Sequence, residues 1–94
     1  MKLIIAIIQD DYINMVIKAL MNNKIRATKL ASTGGFLKSG NTTLLIGVNN
    51  DEVDKVVELI SEQCKSKNVK SGKGEVTVGG ANLFIIDIDR HIKL

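Results

Sequence analysis

The chain opens on K-L-I-I-A-I-I, where strand alternation puts Leu3, Ile5 and Ile7 on one face and Ile4, Ala6 and Ile8 on the other. Both faces are apolar, so Met1 to Gln9 reads as a strand that needs cover on each side. From Asp10 the period lengthens. Ile13, Val16, Ile17 and Leu20 recur at helical spacing behind Asp10 and Asp11, whose charge suits a helix N-terminus, which predicts an amphipathic helix ending near Asn23. Lys24 to Ser32 reads as a second strand, Thr33 to Gly40 as a glycine-containing connection, and Asn41 to Val48 as a third strand. Asn49 and Asn50 offer caps for a second helix from Asp51 to about Gln63, with Val53, Val56, Val57, Ile60 and Cys64 on one stripe. The stretch from Lys65 to Gly74, K-S-K-N-V-K-S-G-K-G, is cationic and broken by glycine, and reads as a mobile loop. Glu75 to Val78 and Asn82 to Ile88 are the last strand segments, with Gly79 and Gly80 between them for a turn or bulge.

The resulting order, βαββαβ, predicts an α+β fold: a ferredoxin-like sandwich with both helices on one face of an antiparallel sheet. Its other face is left bare. Because the first strand is apolar on that side too, the expectation is closed association through the open face into a symmetric oligomer. Ninety-four residues leave room for one domain, residues 1–94, and exclude a multidomain enzyme.

Charge and composition narrow the chemistry. Thirteen cations against ten anions are well mixed, so the net charge of +3 fits a small phosphate-bearing ligand better than a nucleic-acid polymer. The longest apolar run, Leu3 to Ile8, falls far short of the about 18 to 20 residues that cross a bilayer, and no basic leader precedes it, so no membrane association and a cytoplasmic location are expected. A single cysteine, Cys64, and a single histidine, His91, argue against a disulfide or a zinc site within one chain. No cofactor is expected.

The informative stretch is I-R-A-T-K-L-A-S-T-G-G-F-L-K-S-G-N-T-T-L-L-I-G, Ile25 to Gly47. Period-two geometry places Arg26 and Thr28 on one face of the second strand, and Asn41, Thr43, Leu45 and Gly47 on one face of the third. An arginine fork pairs with phosphate, Thr28 and Asn41 can hydrogen-bond a phosphate or a base edge, and Gly47 leaves space for a flat ring. Gly34, Gly35 and Gly40 let backbone amides approach a ligand. Phe36, one of three aromatic residues, lies in this glycine loop, where a ring can stack on a nucleobase, and Phe84 on the last strand can form a second apolar wall if a neighbouring chain carries it across. Plainer readings stand beside these. Arg26 can pair with a surface acid, Thr28 and Thr43 can serve as strand formers, the glycines can simply close a hairpin, Phe36 can be an oligomer contact and Phe84 can be core. Ser32 and Thr33 have no nearby His/Asp pair, and Gly34-Gly35 is not a G-x-x-x-x-G-K-[ST] phosphate loop. Asp87, Asp89 and His91 alternate near the end of the chain, where a charged strand end explains them better than a metal. No catalytic constellation emerges.

Four blocks carry a family resemblance: I-I-A-I-I-Q-D at Ile4 to Asp10, R-A-T-K-L-A-S-T-G-G-F-L-K-S-G-N-T-T at Arg26 to Thr43, I-G-V at Ile46 to Val48, and V-G-G-A-N-L-F at Val78 to Phe84. They resemble the PII-like cyclic-di-AMP receptor proteins, small signal-transduction proteins of the PII superfamily. The resemblance implies a ferredoxin-like PII-like subunit, a homotrimer and one cyclic-di-AMP in each cleft between subunits. By matching position it implies that Arg26, Ala27 and Thr28 contact phosphate and adenine, and that Asn41 hydrogen-bonds the nucleotide. Gly35, Phe36, Leu37 and Gly47 would shape the pocket, and Phe84 would complete the apolar surroundings of the adenine. It implies a receptor that does not turn its ligand over and that signals to a downstream protein partner by rearranging loops. The segment from Lys65 to Gly74 is shorter than the loop such proteins generally carry there, and its S-G-K-G resembles a flexible linker. Two rival expectations are a PII-like sensor of ATP or ADP using the same cleft, and a structural or metal-tolerance trimer of similar fold.

Overall fold

The structure is a computed structural model that describes residues 1–30, 40–64, 69–72, 74–78 and 80–88. Strand β1 (Lys2–Gln9) leads directly into helix α1 (Asp10–Asn22), and β2 (Ala27–Lys29) precedes β3 (Asn41–Val48). A short 3-10 turn (Asn50–Glu52) opens helix α2 (Val53–Gln63), and β4 (Val69–Gly72), β5 (Glu75–Val78) and β6 (Ala81–Asp87) complete the order. The strands form one sheet in the order β2-β3-β1-β6-β5-β4, and every pairing is antiparallel. This is the expected ferredoxin-like α+β arrangement, with a hairpin added at one edge.

Apolar β1 lies between β3 and β6, and its alternation divides the sheet. Ile4, Ala6 and Ile8 are buried with Leu44, Ile46 and Val48 of β3 and Ala81 and Leu83 of β6, against Ile13, Val16 and Leu20 of α1, Val56 and Ile60 of α2, and Cys64 just after it. The helical stripes predicted from spacing are the stripes that pack here. Cys64 is a buried member of this core, and that burial raises the pKa of its thiol. On the opposite face Leu3, Ile5, Ile7 and Leu45 are half-buried, whereas Phe84 and Ile86 are exposed. None of the described helices is long and apolar enough to cross a membrane.

Two glycines brace the junction of β1 and α1. Gln9 donates its N–H to the Gly80 carbonyl at 2.9 Å, and Asp10 donates its N–H to the Gly40 carbonyl at 2.8 Å. Thr42 adds a side-chain bond to the Asp10 carboxylate at 2.7 Å, so the start of the helix is held by the entries of both neighbouring strands. Gly40 and Gly80 have φ of +88° and +86°, a region costly for side-chain-bearing residues. At the far end of β1, Lys2 hydrogen-bonds and ion-pairs with Asp87, which lowers the pKa of that carboxyl. A depressed carboxylate stabilises the fold above its unfolded pKa, and the gain is lost as pH falls through the folded value; on so exposed a pair the effect is small.

Two expectations change. The second strand does not begin at Lys24, because α1 ends in a Schellman motif there: Ile25 donates to the Leu20 carbonyl, Lys24 donates to the Met21 carbonyl, and Lys24 takes φ +59°. Ile25 is thereby buried at the helix end, and the regular strand starts only at Ala27. The second correction concerns the segment 65–74, expected to be a mobile loop. Val69 to Gly72 form β4, paired with β5 from Val69 opposite Val78 to Gly72 opposite Glu75. Ser71 and Gly72 of the S-G-K-G tetrapeptide are therefore strand residues, and Gly74, at φ +74°, leads into β5; residues 65–68 and 73 of that expectation lie outside the described residues.

Lys24→Gly relieves the left-handed strain at the end of α1 and should raise stability by about 1 kcal/mol, read by urea unfolding. Gly80→Ala should do the reverse. An added Cβ would stand 2.7 Å from the Tyr12 ring in addition to the unfavourable φ, so a loss of about 1 to 3 kcal/mol is expected in the same assay.

Candidate functional site

The β2–β3 ribbon forms one edge of the open sheet face. Thr28 stands opposite Leu45, and Arg26 lies just before the paired residues Ala27 to Lys29, at the end of the ribbon nearest Gly47. Thr28, Leu45 and Gly47 therefore belong to the sheet face away from the helices. Arg26 and Thr28 are exposed, and the Schellman turn explains the orientation of Arg26: with Ile25 driven into the core, its neighbour must point the other way. A Cβ built on Gly47 meets nothing within 4 Å. A guanidinium, a hydroxyl and an unfilled space thus adjoin within one chain.

The other predicted site residues are placed differently. Asn41 shares the face but stands six residues up β3 from Gly47, about 20 Å along the strand, so it does not meet Arg26 within one chain. Ala27 pairs with Ile46 and faces the helices, so a contact to a ligand at this position would be made through its backbone. Phe84 pairs with Ile5, which in turn pairs with Leu45, so it lies three strands from Thr28, about 14 Å across the sheet. At 36% exposure it is not core, and its ring stands on the open face. Gly35, Phe36 and Leu37, with Gly34, lie outside the described residues, as do Asp89 and His91. Among the described residues no group of three His, Cys, Asp or Glu side chains could hold a metal ion.

Spacing put one further polar group on this face and gave it only the role of a strand former. Thr43, between Asn41 and Leu45, is only 3% exposed, and its Oγ1 has no hydrogen-bond partner among the described residues. A threonine in a strand looks like any strand former until its burial is known.

Comparison with known proteins identifies the family. A family model described as cyclic-di-AMP receptor matches residues 1–74. A relative from Methanothermococcus thermolithotrophicus, named nitrogen fixation nifHD region GlnB-like protein 1, is 40% identical over 86 residues, covering 78% of this chain and 82% of the relative. The crystal structure of a functionally unknown protein from Pediococcus pentosaceus ATCC 25745 matches with a TM-score of 0.73 and 36% identity, over 99% of this chain and 96% of that one. Fold and relatives together define a signalling domain of the PII superfamily. Within it, the chain belongs to the cyclic-di-AMP receptor family. The family match spans β1 to β4 and therefore the whole Arg26-to-Gly47 ribbon; β5 and β6 follow it.

Because the space above Gly47 is open, Gly47→Leu should leave the melting temperature within about 2 °C of the parent while abolishing nucleotide binding, measured by thermal melting with and without nucleotide.

Proposed function

We propose that this chain is a receptor that binds cyclic-di-AMP in clefts between the subunits of a homotrimer and signals by loop rearrangement, without catalysing a reaction. The observation that carries this reading is the placement of Arg26, Thr28 and the unfilled Gly47 on one edge of an apolar, helix-free sheet face, in a chain of the cyclic-di-AMP receptor family. Arg26 supplies a planar cation for a phosphodiester, and Thr28 a short donor beside it. Gly47 accommodates the flat base, and Leu45 is its apolar neighbour on the strand.

The separation of Phe84 from Thr28 across the sheet favours a site shared between copies. The open face carries Arg26 and Thr28 near one edge and Phe84 beyond the centre, so a head-to-tail ring of copies brings the β6 side of one chain to the β2–β3 side of the next. Such a ring also covers Leu3, Ile5 and Ile7, whose exposure in a lone chain is unfavourable. The loop residues Gly35, Phe36 and Leu37 complete the pocket in this reading, with the Phe36 ring stacking on an adenine. Two loop states that differ in affinity for the dinucleotide then convert its concentration into a surface that a downstream protein partner recognises.

Titration calorimetry of the purified protein should give saturable cyclic-di-AMP binding at one ligand per chain, and Arg26→Ala should weaken it about 10- to 100-fold with the oligomer intact. Absence of binding at micromolar protein, or tighter binding of ATP or ADP in competition, would overturn the reading.

A further inference from the structure

We infer that Thr43 is a further ligand-binding residue, whose hydroxyl is kept without a partner in the free chain in order to hydrogen-bond the nucleotide. The inference rests on the cyclic-di-AMP reading above and adds a contact to it.

Thr43 stands on the ligand side of the ribbon. Its row on β3 is opposite Leu30, which donates its N–H to the Thr43 carbonyl at 2.9 Å, and the next row carries Thr28 opposite Leu45. Along β3 it lies two residues from Asn41 and four from Gly47, about 7 and 13 Å away. A ligand that touches both Thr28 and Asn41 on one chain therefore passes over Thr43.

The hydroxyl itself provides the second argument. Oγ1 is sealed from solvent and unpartnered among the described residues, in a face otherwise built of Ile5, Ile7 and Leu45 at its centre. An unpaired buried hydroxyl costs about 1 to 3 kcal/mol, whereas valine has the same shape and carries no such cost. A position selected for packing alone favours valine; a position that must bond something absent from the free chain retains threonine. A bond from this hydroxyl to the nucleotide exists in the bound state only, so the lost stability of the free chain becomes affinity for the ligand.

Thr43→Val separates these roles because it removes the hydroxyl and keeps the volume. The expected result is an unchanged or higher melting temperature without ligand, together with cyclic-di-AMP affinity about tenfold weaker by calorimetry, as the loss of one hydrogen bond requires. Thr43→Ser, which restores a hydroxyl, should return affinity to within about threefold of the parent. Parent-like affinity in Thr43→Val would overturn the inference and leave the receptor reading standing. A lower melting temperature in Thr43→Val would equally overturn it, by showing that the hydroxyl is already bonded in the free chain. Failure of the parent protein to bind cyclic-di-AMP would instead sink the receptor reading, and this inference with it.

Discussion

The central strand is apolar on both faces, and the rest of the molecule is arranged around that fact. Ile4, Ala6 and Ile8 are satisfied within the chain by two helices. Leu3, Ile5 and Ile7 are not, and no described helix lies on their side. A sheet with one finished and one unfinished face must find its second layer elsewhere, and in the proposed receptor that layer is other copies of the chain. The binding chemistry follows from the same asymmetry. Polar groups that would be ordinary on a fully solvated strand, Arg26 and Thr28, here border a low-dielectric surface, where bonds to a charged ligand are stronger than in water.

Rigidity is concentrated where the strands meet α1. The carbonyls of Gly40 and Gly80 hold Gln9 and Asp10 from two sides, and Thr42 binds the Asp10 carboxylate. These contacts fix the top of β3, on which Asn41 and Thr43 sit, relative to the helix layer. Regular β2, by contrast, has only three residues and pairs on one side only. In the proposed receptor, the fixed β3 beside this short edge strand is the floor on which the ligand lies.

Most of the frame was legible in the sequence because its signals are periodic. β1, α1 and β3 fall within one or two residues of the boundaries read from spacing, and the alternation that put Asn41, Thr43, Leu45 and Gly47 on one face of the third strand survives in the sheet register. Local competition explains the misreadings. Lys24 looked like a strand residue, but the carbonyls at the end of α1 needed partners, and a left-handed residue supplied them. The polar, glycine-broken run before Glu75 has no hydrophobic alternation, so β4 exists through its pairing with β5 and not through its own pattern. Spacing placed Asn41 on the correct face but could not supply the about 20 Å that separates it from Gly47, nor reveal that Thr43 alone among its polar neighbours is sealed.

The central claim is that the open face carries the nucleotide between copies of the chain, and a crystal structure of the protein grown with cyclic-di-AMP tests it most directly. The account predicts one dinucleotide per chain against Arg26, Thr28 and the space above Gly47, with Phe84 supplied by a neighbouring copy. Density for the ligand on the helix side, or an assembly whose own side chains fill the space above Gly47, would contradict it.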